Sequence, residues 1–213
     1  MNKSILIVGA GPGLSYSVAE KFAGEGFGIN LISRNKSNLE VLKRQLSEKG
    51  ISSSGYNADA ASKDELKKAI DFLSASSAFD VVLYNVAVIK ERDIMKEEPD
   101  DLTREFHINV AGALSTIQLT YQGLKHKHGA YLLSGGGLAV NPMAAYGSLS
   151  IGKAGIRSLA YQLHDRLKDD GVYVGLLTIA GLIDPESKTH SPLVLANLFW
   201  KMYNERTAVE LHQ

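Results

Sequence analysis

The stretch Ile5-Leu6-Ile7-Val8-Gly9-Ala10-Gly11-Pro12-Gly13-Leu14-Ser15 is a short apolar run that breaks into glycines and then continues as an amphipathic segment. Its first four residues are apolar without alternation, which is typical of a parallel strand covered on both faces. The glycines permit a tight turn and the close approach of a ligand. Beyond them, Val18 and Phe22 share one side of a helical pattern, and the N-terminal amides of such a helix can bind an anion. The stretch predicts a strand, a phosphate-binding loop and a helix, with a dinucleotide pyrophosphate as the candidate ligand.

The spacing of the glycines separates two kinds of phosphate loop. The pattern G-x-G-x-x-G would need glycine or alanine at position 14, where this chain has Leu14. The spacing G-x-x-x-G-x-G fits Gly9 and Gly13, with Ser15 in place of the last glycine. In this respect the chain resembles the short-chain dehydrogenase/reductase family. The alternative is a glycine-rich turn that binds no nucleotide.

The composition is typical of a single globular domain with equal numbers of acidic and basic residues. The chain has 213 residues, of which 45% are hydrophobic, and this is enough for a full core in a single domain spanning 1–213. Lysine plus arginine and aspartate plus glutamate number 23 each, so no overall field favours nucleic acid. The absence of cysteine removes disulfides and thiolate metal sites, and we expect no metal. No apolar run approaches a membrane span, and no signal peptide is evident, so the expected location is cytoplasmic.

Strand and helix patterns alternate along the whole chain. They predict an α/β fold with a doubly wound parallel sheet of about six strands, a three-layer αβα arrangement of the Rossmann type. The resemblance to the family covers nearly the whole chain. Two long helices are expected at about 100–127 and 147–169, the first interrupted near residues 109–112. No seventh strand is apparent, and the C-terminal part that binds substrate in typical family members is expected to be truncated.

The end of the second strand carries the residue that selects the cofactor. An acidic side chain there would bind the ribose hydroxyls, whereas Arg34 can pair with a 2′-phosphate, so we expect NADP(H), with NAD(H) as the alternative cofactor. A solvated surface role is the alternative for Arg34. The resemblance places Asp59 at the adenine, although a cap or turn role is also open, and it places Asn85 by the adenosine. The cofactor-binding residues that the resemblance implies are Gly9, Pro12, Gly13, Leu14, Arg34, Asp59, Ala60, Asn85, Ala87, Lys153, Gly181 and Ile183.

The catalytic signature of the family is matched only in part. Lys153 fits its active-site lysine, and Asn109, in an N-V-x-G context, fits the asparagine that holds a relay water. The family has a tyrosine four residues before that lysine, where this chain has Leu149. Tyr146 lies seven residues before Lys153, or about 10 Å along a helix instead of about 6 Å. Ser134 is the hydroxyl nearest to the expected serine, which falls on Gly135 or Gly136.

Two explanations are open for the missing acid. Tyr146 supplies the hydroxyl from just before the helix, with Ser148 or Ser150 as weaker substitutes, or else Tyr146 only packs and the site has no acid. The predicted catalytic residues are therefore Asn109, Ser134, Tyr146 and Lys153.

The resemblance implies an oxidoreductase that moves hydride between NADP(H) and a small-molecule carbonyl or alcohol. The alternative is an NADP(H)-binding regulator or sensor with weak or no catalysis, because Leu149, the displaced serine and the short loop after the sixth strand all depart from the family. A phosphate-loop nucleotidase is a poor third explanation, because no G-K-[S/T] follows the glycines. A homodimer or homotetramer is expected through the two long helices.

Overall fold

A computed structural model describes residues 3–213. They form one seven-stranded sheet in which every neighbouring pair of strands is parallel, in the order β3-β2-β1-β4-β5-β6-β7. The strands are β1 Ser4–Val8, β2 Gly28–Ser33, β3 Ser53–Asn57, β4 Val81–Tyr84, β5 Ala130–Ser134, β6 Tyr173–Thr178 and β7 Glu210–His212. The helices are α1 Leu14–Gly24, α2 Lys36–Glu48, α3 Lys63–Leu73, α4 Pro99–Phe106, α5 Gly112–Lys127, α6 Gly147–Leu167 and α7 Pro192–Glu205.

Helices cover both faces of the sheet, so the predicted three-layer α/β fold is confirmed. In β1, Ile5 and Ile7 join a core formed with α1, α2 and α7. Leu6 and Val8 join the opposite core, formed with α3, α5 and α6. Because alternate side chains of a strand point to opposite faces, both faces of β1 must be apolar, and this explains the unalternating run in the sequence.

The sheet has one strand more than predicted. β7 pairs with β6 between Leu176 and Glu210, Leu177 and Leu211, and Thr178 and His212. This strand contains three residues and is largely polar, so it carries neither the length nor the apolar run by which a buried strand is recognised. The prediction of no seventh strand was therefore wrong.

The interruption of the long helix near Asn109 is confirmed. Residues His107–Ala111 form a wide π-helical turn between α4 and α5. Such turns are uncommon and frequently occur at functional sites, because they change the direction of side chains within a continuous helix. Within residues 3–213, no helix is long and apolar enough to cross a membrane.

Candidate active site

The glycine turn after β1 is held tightly against β4. Gly9 has φ +88°, and a Cβ there would lie 2.4 Å from the carbonyl oxygen of Asn85, so only glycine fits. The Ser15 hydroxyl donates to the Gly9 carbonyl at 2.9 Å, and it accepts from the Asn85 amide at 2.9 Å. Ser15, at the third glycine position of the pattern, thus stabilises the turn and fixes the position of the Asn85 side chain through these two hydrogen bonds.

The N-terminus of α1 is available to an anion. Gly13 begins the helix with φ +83° and supplies no side-chain cap, so the first-turn amides have no side-chain acceptor from that position. Pro12 and Gly13 are exposed there. The Leu14 side chain is buried in the core, so Leu14 can offer a cofactor only its backbone.

Next to this turn lies a cavity of about 310 Å³ at the carboxyl ends of β1, β2 and β4. This is the point where the strand order reverses, which is the usual ligand site of an open α/β sheet. The cavity brings together six of the predicted cofactor residues, namely Gly9, Arg34, Asp59, Ala60, Asn85 and Ala87. Its remaining lining residues are Val8, Ala10, Ile32, Ser33, Asn35, Asn38, Ala58, Val86, Val88 and Ile108.

Arg34 lies at the rim of the cavity with its backbone fixed and its side chain exposed. The Asn57 amide donates to the carbonyl oxygens of Ser33 and Arg34 at 2.8 and 2.9 Å, and the Asn35 side chain caps α2 by accepting from Asn38 N. Within the described part of the chain, no carboxylate pairs with the Arg34 guanidinium. The site therefore offers an arginine without an acidic partner at the end of β2.

Asp59 takes part in a turn at the cavity wall. Its Oδ1 accepts from the Ala61 amide at 3.0 Å, and its own amide donates to Glu65 at 2.9 Å. The cap of α3 is Ser62, whose hydroxyl accepts from Glu65 N. Asp59 is thus a turn residue that also faces the cavity, and it does not cap the helix.

Two buried contacts hold the π-helical turn and with it Asn109. Tyr84, at the end of β4, donates its hydroxyl to the Ile108 carbonyl at 2.5 Å, and burial raises the pKa of this phenol far above its usual value. The Asn109 Oδ1 accepts from Val88 N at 2.8 Å, while its Nδ2 is buried and has no hydrogen-bond partner among residues 3–213. A Cβ on Gly152 of α6 would lie 2.7 Å from that Nδ2. The unpaired amide therefore faces α6 one residue before Lys153.

Lys153 reaches the carboxyl end of β5. Its ammonium donates to the Ser134 carbonyl at 3.2 Å, and its methylene stem lies beside Gly136, where a Cβ would be 3.1 Å from Lys153 Cε. Burial lowers the pKa of Lys153 from 10.5 to about 8. The Ser134 hydroxyl donates to the Tyr84 carbonyl at 3.4 Å. The structure therefore brings Lys153 and Ser134 together through the serine backbone.

The other predicted hydroxyls make hydrogen bonds with groups other than Lys153. Tyr146 precedes the helix and donates to Glu91 at 3.5 Å, and no hydrogen bond between Tyr146 and Lys153 is found within residues 3–213. Ser148 donates to the buried Glu105 at 2.5 Å, and Ser150 is bonded to the Met143 backbone. Leu149 is 6% exposed and offers no proton.

The segment after β6 lies across the Gly135–Gly137 turn, because Gly137 N donates to the Ile179 carbonyl at 3.0 Å. Gly181 packs on the His190 ring, whose buried Nε2 has no hydrogen-bond partner in the described part of the chain, and Ile183 is exposed. Sequence reasoning missed His190, as it missed Asn35 and Asn38 in the cavity. Asparagines that follow a strand can indicate a binding site, whereas a histidine in a loop is too common to indicate one.

The chain is similar to known dehydrogenases and reductases. The family model described as short chain dehydrogenase matches residues 3–191. A diacetyl reductase [(S)-acetoin forming] from Staphylococcus epidermidis is 29% identical over 177 residues, which are 82% of this chain and 69% of that reductase. A 3-dehydrosphinganine reductase from Arabidopsis thaliana is 25% identical over 180 residues, 82% of this chain and 54% of that enzyme.

Among solved structures, an L-sorbose reductase from Gluconobacter frateurii, complexed with NADPH and L-sorbose, superimposes with a TM-score of 0.90. It is 19% identical, and the match covers all of this chain and 95% of the other. At this identity the similarity establishes the fold.

Proposed function

Because the chain belongs to the short-chain dehydrogenase family and is an oxidoreductase of that kind, we propose that it transfers hydride between NADP(H) and a small carbonyl or alcohol. The observation that carries this proposal is the row of predicted cofactor residues along one edge of the sheet. The row begins with Arg34 at the cavity rim and ends with Lys153 at β5. A dinucleotide is the ligand whose two ends and central pyrophosphate match such a row.

The residues present fit the cofactor. The Gly9 turn leaves no room for a Cβ, and the uncapped start of α1 suits a pyrophosphate. The unpaired Arg34 suits the 2′-phosphate, so NADP(H) is proposed ahead of NAD(H). Asp59 and Asn85 would lie at the adenosine, and Ile183 at the nicotinamide carboxamide. Pro12, Gly13, Leu14, Ala60, Ala87 and Gly181 complete the proposed binding surface.

The residues at β5 and α6 would handle the substrate. When bound, the cofactor supplies or accepts the hydride at its nicotinamide ring. Lys153 would bind the nicotinamide ribose, Ser134 the substrate carbonyl, and Asn109, with its unpaired amide, a relay water. Tyr146 is the proton donor expected from the sequence, and its hydroxyl, which is bonded to Glu91, would have to turn toward this site.

The substrate class follows from the similar proteins, which are named as reductases of a diketone, of a keto sphingoid base and of a keto sugar. A ketone is common to all three. We therefore propose a ketone or aldehyde substrate. We also propose a cytoplasmic site of action.

A homodimer or homotetramer is proposed through the long helices. α5 and α6 expose apolar side chains, with Leu114 38% and Ile151 41% exposed, as does Phe106 of α4 at 40%. Exposed apolar patches on a folded chain often mark an association surface. Light scattering after gel filtration is expected to give two or four copies, and a monomer at micromolar concentration would contradict this proposal.

The test of the function is a carbonyl panel. Purified protein is mixed with NADPH or NADH and with diketones, keto sugars, long-chain ketones and aldehydes, while absorbance at 340 nm is followed. At least one carbonyl is expected to oxidise NADPH faster than NADH. If NADPH binds, as judged by its own fluorescence, but no carbonyl is reduced, the protein is a dinucleotide-binding regulator or sensor and the proposal fails.

A further inference from the structure

The reduction of a carbonyl needs a proton as well as a hydride, and the usual donors are missing from this site. Leu149 occupies the position where the family has its tyrosine, and it is apolar and buried. Gly135 and Gly136 occupy the positions expected for the serine. A side chain with an ionisable hydrogen must therefore come from elsewhere in the site.

The hydroxyls near the start of α6 have other partners. Tyr146 donates to Glu91, Ser148 to the buried Glu105, and Ser150 is bonded to the Met143 backbone. The Glu105 side chain is 1% exposed and is paired at 2.7 Å with Lys90, which is 40% exposed, so Ser148 is one of two donors to a buried carboxylate. Moving Ser148 into the site would leave a buried carboxylate with one donor fewer.

Lys153 is placed differently. Its ammonium lies at the carboxyl end of β5 and makes one hydrogen bond, to the Ser134 carbonyl, among residues 3–213. An ammonium has three donors, so two are left for a ligand. The stem occupies the space beside Gly136 that a serine side chain would enter. A serine side chain at position 136 would therefore crowd the Lys153 stem, and glycine at this position leaves room for it.

The charged groups around Lys153 are paired among themselves. One turn further along α6, Arg157 is paired with Glu210 of β7. On the side of α4, Glu105 is paired with Lys90. Three polar groups from β5, β6 and the π-helical turn carry no charge: the Ser134 carbonyl bonded to Lys153, Thr178 beside Gly135, and Asn109 beside Gly152. His190, in the loop after β6, lies beside Gly181.

We propose that Lys153 itself donates the proton to the substrate carbonyl oxygen during reduction and accepts it back during alcohol oxidation. This step rests on the proposed function. As hydride from the nicotinamide forms the new C–H bond, one N–H bond of Lys153 breaks, the carbonyl oxygen gains that hydrogen, and the amine is left neutral. A proton from solvent then restores the ammonium. The lowered pKa of about 8 suits a group that must both give and regain a proton near neutral pH.

The first test is the pH dependence of reduction. The ammonium is the donor, so the wild-type kcat is expected to fall as the pH rises through about 8. Lys153→Arg keeps a cation for the ribose but does not release its proton in this range, so the fall near pH 8 disappears and kcat drops by about 100-fold or more. Binding of NADPH by Lys153→Arg is expected within a few-fold of wild type. Lys201→Arg, on the exposed side of α7, serves as the matched control and keeps the wild-type profile.

Chemical rescue separates proton transfer from a role in positioning. Lys153→Ala is expected to lose activity and to regain part of it with methylamine, with rescue depending on the pKa of the added amine. Guanidinium ion, which is a cation of similar size but a very weak acid, is expected to give no rescue. Equal rescue by both ions would show that Lys153 only supplies charge, and would overturn the proposal.

The competing donors are tested in the same assay. Loss of reduction in Tyr146→Phe, with the fall near pH 8 retained in Lys153→Arg, would assign the proton to Tyr146 and overturn the proposal. Loss of reduction in His190→Gln, with the fall near pH 8 retained in Lys153→Arg, would assign proton donation to His190 and would also overturn the proposal. Circular dichroism and NADPH binding confirm that each variant is folded. If wild-type protein reduces no carbonyl, the proposed function fails as well; if it does and Lys153→Arg keeps the wild-type profile, only this inference fails.

Discussion

At the scale of single residues, the proposed preference for NADP(H) depends on the side chain of Arg34. The backbone around it is fixed by Asn57 and by the cap of α2, while the guanidinium is exposed at the cavity rim without a carboxylate partner in the described residues. An arginine already paired with an acid would have to give up that partner to bind phosphate. Arg34 would not have to give up such a partner, so a 2′-phosphate bound there would gain the full charge-assisted contact.

Arg34→Ala is expected to weaken NADPH binding by about 10- to 100-fold, which corresponds to about 1.4 to 2.8 kcal/mol, and to change NADH binding by less than about 3-fold. Fluorescence titration of both nucleotides measures the difference. Arg44→Ala is the control, because Arg44 is exposed on α2 and outside the cavity. Equal losses for the two nucleotides would show that Arg34 does not read the 2′-phosphate.

At the scale of elements, the interrupted helix is shaped by the strand beside it. Tyr84 of β4 lies under the π-helical turn, and its hydroxyl bonds to Ile108. A Cβ on Gly112 would lie 2.3 Å from the Tyr84 hydroxyl oxygen and 2.5 Å from the Ala60 carbonyl oxygen. Glycine is therefore required where α5 begins, and it keeps Asn109 directed at α6.

Gly112→Ala is expected to lower the free energy of unfolding by about 2 kcal/mol or more, because the methyl group collides with a buried phenol and with backbone. Gly24→Ala is the matched control: nothing lies within 4 Å of its Cβ position, so the change should be neutral or slightly stabilising. Urea unfolding of both variants measures the effect. Equal stabilities would mean that Tyr84 and α5 adapt without cost.

The glycine turn, the Arg34 position and the helical break at Asn109 were accessible from sequence because each depends on local residue types. The path of Lys153 to the Ser134 carbonyl was not accessible, because it depends on the space left by Gly136, which precedes Lys153 by 17 residues and lies outside α6. Tyr146 shows the same limit. Its spacing from Ser134 suggested a shared site, yet its hydroxyl meets Glu91 from a loop that has no sequence pattern.

For the whole molecule, the last strand ties the sheet to the helix that carries Lys153. Glu210 of β7, with its side chain 3% exposed, accepts from Arg157 of α6, Tyr161 of α6 and Thr178 of β6. Burial acts to raise the pKa of Glu210, but these hydrogen bonds outweigh it and hold the pKa at about 2. Ala180 N also donates at 2.7 Å to the carbonyl of Gln213, the residue after β7, so this end of the chain holds the start of the loop after β6.

Glu210→Gln is expected to cost about 2 kcal/mol at pH 7, a value reduced for the partial exposure of Arg157. Because the folded pKa lies below the unfolded value of 4.5, the stabilisation is complete above about pH 5 and is lost as the pH falls toward 2. The difference between variant and wild type should therefore shrink in acid, as measured by urea unfolding at pH 7 and pH 3. Glu205→Gln, on the exposed end of α7, should change little. A difference that does not depend on pH would contradict the charged network.

The measurement that bears most directly on the proposed oxidoreductase is a crystal structure of the protein with NADP⁺. We expect the 2′-phosphate on Arg34, the pyrophosphate at the Gly9–Gly13 turn, and the nicotinamide ring at β5 with Lys153 Nζ within about 3.5 Å of the space where a carbonyl oxygen would sit. A dinucleotide bound elsewhere, or a nicotinamide facing only Leu149 with Lys153 out of reach, would contradict it.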